Sequence, residues 1–245
     1  MTQALAAESQ RRTIQRRDRG VGRQPSAQTA MGFAIALMLC QCTNAQGVCD
    51  SMSTLDFHSS STANSGTKHS NLGGKGPDSG AEELRYGGIR IVGGRAVDLV
   101  ITVASGSTYE VHKNYKNSCG DDSTSLMQVA LRNQHATTFD FALKYADTGD
   151  LIPPTTFNIV LLDVDRGNGP AEKVSATGFN SYEVHTSTGL ANDGTSSNPV
   201  HRGTVKFVPN PTDPQSLTTA QQKASVNYLY TNTNTWQMTF EVTGG

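Results

Sequence analysis

Residues 90–103 read RIVGGRAVDLVITV. Arg90, Ile91 and Val92 lead into the pair Gly93-Gly94, and the chain then enters an apolar stretch rich in β-branched residues. Such residues fit a pleated, half-buried surface. Paired glycines supply the backbone freedom that a reversal of direction needs. The stretch therefore reads as a turn and the lead-in to a β-strand over residues 96–103.

The first five residues also match the activation site of chymotrypsin-like protease zymogens, and the rest of the chain tests that reading. Such an enzyme needs a histidine base, an aspartate that orients it and a serine beside an oxyanion hole. Residues 91–245 are few for two barrels, and His112, His135, His185 and His201 all lack the expected context. CGDDSTS (119–125) lacks the two glycines after a nucleophilic serine and precedes most of the strands. The protease reading is rejected.

Outward from this stretch, short apolar alternations recur between turn signals. Strands are expected at 125–133, 137–145, 156–164, 173–179, 181–186, 203–208, 225–231 and 235–242. The last alternates cleanly, with Trp236, Met238, Phe240 and Val242 on one face. With 225–231 it is expected to form a hairpin around Asn232–Asn234. One or two helical turns fit 213–225, capped by Ser216 or Thr218. Many short strands without alternating long helices predict an all-β fold, an antiparallel, jelly-roll-like β-sandwich over residues 84–245.

Upstream, six arginines between Arg11 and Arg23 precede the apolar run Met31–Leu39 and then CQCTNAQG. Basic, apolar and small-polar segments in that order read as a secretory signal, so residues 1–45 are assigned to a basic N-terminal region plus signal peptide. Residues 46–83 are rich in Ser, Thr, Gly and Asn, and read as a disordered linker in which His58 and His69 are solvated. A plastid transit segment following the signal is the alternative for that composition. Removing residues 1–45 leaves Cys49 and Cys119, which suggests one disulfide. The formal net charge of the 245-residue chain is -1 and 17% of its residues are charged, which argues against nucleic acid. No apolar run reaches the roughly 20 residues that span a bilayer.

Several of these segments together resemble the extracellular β-sandwich modules of bacterial surface proteins and of secreted algal and protist proteins. The matching positions are Gly94, Val97-Asp98-Leu99 and Thr102; Phe139 and Phe141; Asp163, Asp165 and Gly167; and Glu172, Val174, Gly178 and Phe179. Leu162 and Ala176 depart from the pattern, where an aromatic and a valine are usual. The resemblance implies architecture and a surface location rather than an activity.

The stretch DVDRGNGPAE (163–172) is the candidate site. Asp163 and Asp165 are two residues apart at a strand end and so face one side. A Gly-Asn-Gly turn exposes carbonyls, and Glu172 returns nearby. Hard cations such as Ca²⁺ take six to eight oxygen ligands. The spacing is not an EF-hand, because Gly167 and Val174 occupy ligand positions of that loop. An ordinary acidic turn is the competing reading. Asp98, inside an apolar strand, is the natural fourth ligand, since a buried carboxylate needs hydrogen bonds or a cation. These residues point to a secreted or cell-surface, non-enzymatic module with a structural or adhesive role, its partner a cell-surface glycan or a matrix protein. A Ca²⁺-dependent carbohydrate-binding domain, with the loop 186–203 as its rim, is the alternative. A glycoside hydrolase built on paired carboxylates comes third.

Overall fold

The computed structural model describes residues 31–42, 49–54, 66–111, 126–206, 208–211 and 216–244. In chain order the strands are β1 (Met31–Cys42), β2 (Cys49–Thr54), β3 (Gly66–Ser70), β4 (Glu83–Val92), β5 (Arg95–Val103), β6 (Met127–Leu131) and β7 (His135–Tyr145). They continue with β8 (Thr155–Leu162), β9 (Glu172–Thr177), β10 (Ser181–Val184), β11 (Leu190–Asn192), β12 (Val200–Gly203), β13 (Val226–Thr233) and β14 (Thr235–Val242). A short α-helix, α1 (Thr219–Lys223), is capped by Thr218, whose hydroxyl accepts from the Gln221 N–H in a capping box. All the strand pairings are antiparallel and build two sheets. One runs β10-β13-β8-β1-β2 with β6 also on β1; the other runs β11-β12-β9-β14-β7-β5-β4-β3. The chain is an all-β sandwich.

The turn at Gly93-Gly94 joins β4 to β5, with Val92 opposite Arg95. Both glycines have positive φ, 57° and 79°, as a two-residue type I′ hairpin requires. Ile91 is paired with Ala96 but remains 62% exposed, so pairing rather than burial holds it.

The core lies between the sheets. Trp236, Met238, Phe240 and Val242 of β14 are buried together with Phe139 and Phe141 of β7. From the facing sheet come Phe157 of β8 and Tyr228 and Tyr230 of β13. Phe157 bridges the layers, with its ring centroid 4.8 Å from that of Trp236. β13 and β14 do not form the expected hairpin: β13 pairs with β8 and β10, and β14 with β7 and β9. Each strand has a full apolar face, and packing the two faces across the core buries more surface than pairing the edges. Tyr230 and Trp236 meet that way, with centroids 5.9 Å apart.

Two upstream segments join the sheets. Met31–Cys42 forms β1, pairing with β8 from Ala34–Leu162 to Leu39–Phe157. A short apolar run has the same composition whether it is a signal core or a central strand, and periodicity does not separate the two. Removing residues 1–45 would take β1 out of its sheet. The paired chain also starts upstream of residue 84. Cys49–Thr54 pairs with β1, and Gly66–Ser70 pairs with β4. Polar composition there serves the fold: the Asn71 amide donates to the Gly80 and Ala81 carbonyls, and its oxygen accepts from the Gly76 N–H. His69 is not simply solvated, because its Nε2 lies 2.7 Å from the Ala81 carbonyl. His58 and Cys119 lie outside the described residues, and with Cys119 goes the expected disulfide. Cys49 stands opposite Cys42 in the β1–β2 register.

Candidate functional site

The segment between β8 and β9 carries Asp163, Asp165 and Glu172 within one buried turn. Neighbouring backbone pins it from several sides. The Val164 N–H donates to the Ala224 carbonyl, Arg166 N–H to Val205, and Glu172 N–H to Asp165. Asp163 adopts φ 64°, an uncommon value for a residue with a side chain. The turn, rather than strand alternation, therefore brings the carboxylates together.

All three are at least nine-tenths buried, with exposures of 9%, 8% and 2% in chain order. Asp165 accepts one hydrogen bond, from the Val208 N–H at 2.6 Å. Oδ1 of Asp163 and Oε2 of Glu172 are buried without any hydrogen-bond partner. Burial and the charge of Asp165 push the Asp163 carboxyl up to about 8. Burial, then Asp163 and Asp165, raise Glu172 well above the usual carboxylate range. Burial also raises Asp165, against the pull of its bond from Val208. An oxygen-only donor set with orphaned buried oxygens fits a hard cation and offers nothing to a metal that prefers sulfur or imidazole. Among the described residues, no group of three His, Cys, Asp or Glu side chains is already arranged to hold a metal ion.

Asp98 does not belong to this group. On β5 its carboxylate accepts from the Gly88 N–H at 2.9 Å and lies 3.5 Å from Lys68 Nζ and 3.4 Å from Arg85 Nη1. Two cations already satisfy the carboxylate that the sequence reading assigned to the metal. Asp98→Asn should cost about 2 kcal/mol in urea unfolding, because it discharges two charge-assisted contacts. Any response to Ca²⁺ should be unchanged. A Ca²⁺ response abolished by Asp98→Asn would return this residue to the site.

The loop 186–203 forms a short hairpin, β11–β12, with a structured tip. Asn192 Oδ1 accepts from the Gly194 and Val200 N–H groups, and Asp193 holds Arg202 through two contacts at 2.8 and 3.2 Å. Beside this tip lies a groove of about 580 Å³, whose other wall is the turn from β9 to β10. Phe179, Asn180 and Tyr182 face Ser196, Ser197 and Asn198 across it. The sequence reading offered one wall, within the loop 186–203, and missed the other, because the two are far apart in the chain. The only local signal was the Gly-Phe-Asn-Ser-Tyr run, read as strand ends. The acidic trio does not line the groove.

No family model and no curated protein matches the chain. Among solved structures it is similar to the N-terminal domain of the Streptococcus gordonii adhesin Sgo0707, with a TM-score of 0.40 and 10% sequence identity. The likeness covers 64% of this chain and 44% of that one, so the chain spans less than half the length of that neighbour.

Proposed function

We propose that the chain is a secreted or cell-surface, non-enzymatic β-sandwich module with a structural or adhesive role, stabilised by Ca²⁺ at Asp163, Asp165 and Glu172. The observation that carries the metal assignment is three buried carboxylates in one turn, two of them holding an orphaned oxygen. A buried unpaired charge is expensive, and a bound cation relieves that cost for all three at once. Burial also supports a structural reading of the trio, because catalytic carboxylates must reach a substrate and these do not line the groove.

Ca²⁺ is expected to raise the melting temperature of the intact chain, and EGTA to reverse the rise. The double variant Asp163→Asn/Asp165→Asn should remain folded and lose the response. A Ca²⁺ response that survives the double substitution, or no response in the parent protein, would sink the assignment.

A further inference from the structure

We propose that the groove between the β9–β10 turn and the β11–β12 tip binds a neutral saccharide, independently of Ca²⁺. The proposal names the partner class for the adhesive role and rests on that reading, but not on the acidic trio. Three observations carry it. The lining has no charged side chain; it is made of amides, hydroxyls, small residues and two aromatic rings. That composition supplies no cation to a phosphate, a sulfate or an acidic sugar. It suits a ligand with an apolar C–H face and a rim of hydroxyls.

The second observation is that the aromatic wall is fixed before any ligand arrives. The Phe179 and Tyr182 rings meet edge to face at 6.1 Å, Phe179 packs on Tyr228 at 5.2 Å, and Tyr182 packs on His201 at 4.9 Å. Asn180 is oriented as well, since its Oδ1 accepts from both the N–H and the hydroxyl of Thr231 at 2.8 Å. Its amide N–H groups are therefore the part left for a ligand. A prearranged wall lowers the entropy cost of binding.

Third, the opposite wall is a braced hairpin tip. The Asn198 N–H donates to Thr195 Oγ1 at 3.0 Å, the Thr195 N–H donates back to the Asn198 carbonyl, and the Asp193–Arg202 pair holds the base. Among the described residues, the exposed Asn198 side chain has no hydrogen-bond partner. An extended peptide adding to the sheet edge is the competing occupant. It is disfavoured because β10 is only four residues long and the tip stands across the groove.

The test is a glycan array that holds neutral, sialylated and sulfated glycans beside a peptide array, probed with the full chain in Ca²⁺ and in EGTA. Binding to neutral glycans in both buffers is expected. Titration of the best glycan should weaken at least about tenfold for Phe179→Ala and about threefold to tenfold for Asn198→Ala. Asn198→Ala, at an exposed tip, should leave the melting temperature unchanged and so guards against loss of fold. Binding only to acidic glycans, binding only to peptides, blank arrays, or neutral-glycan binding untouched by both substitutions would each overturn the proposal. Peptide binding alone would leave the adhesive reading standing while removing this site. Loss of neutral-glycan binding in EGTA would overturn the independence from Ca²⁺.

Discussion

Stripped of divalent cations, the protein is expected to lose stability as pH rises towards about 8, and Ca²⁺ is expected to restore it. The sign follows from where the protons sit. The Asp163 carboxyl is held at about 8 in the folded chain against an ordinary 3.8. Between those values the folded state keeps a proton that the unfolded state releases, so stability falls with rising pH. That shift corresponds to roughly 6 kcal/mol lost between those two values. Glu172 moves in the same direction. His201 works the other way at the acid end: burial lowers it to about 4 from 6.5, so stability rises with pH between those values. The cleanest window is therefore from about 6.5 to about 8. Urea unfolding in EGTA across that window should show the decline, and Asp163→Asn should flatten most of it. With millimolar Ca²⁺ the carboxylates are held ionised and the decline should vanish in the parent protein but not return as a Ca²⁺ effect in the variant. A metal-free curve that is flat or rises between about 6.5 and 8 would show that the carboxylates are compensated by something other than a cation.

The parts of this molecule legible in the sequence are those fixed by local geometry. Gly93-Gly94 could be read as a turn because the two-residue hairpin demands positive φ at both positions, which glycines supply. The alternation in 235–242 exposed the buried face of β14 for the same kind of reason. Asp163, Asp165 and Glu172 were legible as a group because a short turn keeps them near one another, although their convergence comes from the left-handed Asp163 and not from a shared strand face. Asp98 was misassigned because its neutralising partners, Lys68 and Arg85, lie 30 and 13 residues upstream. Nothing in an apolar strand announces which distant cations will cover it. The same limit hid one wall of the groove, residues 176–182, which meets the already suspected loop at 196–198 only in the fold. It also turned β13 and β14 into a hairpin, since adjacency in sequence does not distinguish edge pairing from packing across a core.

Gly203→Ala is the substitution that tests how the acidic turn is held without touching a charge. A methyl group at Gly203 would lie 2.3 Å from the Asp165 carbonyl oxygen, 2.4 Å from its carbon and 2.5 Å from its Cα. These are backbone atoms, so no side chain can swing away to make room. The Asp165 backbone is itself tied down: its N–H donates to Asp163 and its carbonyl accepts from Glu172. Relief requires the end of β12 and the acidic turn to separate, which would strain the Arg166–Val205 bond and the Val208 N–H bond to the Asp165 carboxylate. Overpacking of this kind costs about 3 kcal/mol. The expected result is that loss in urea unfolding, together with a weakened Ca²⁺ response although every carboxylate is still present. A Gly203→Ala protein with parental stability and a full Ca²⁺ response would show that β12 does not brace the turn. The trio would then have to be positioned by its own loop alone.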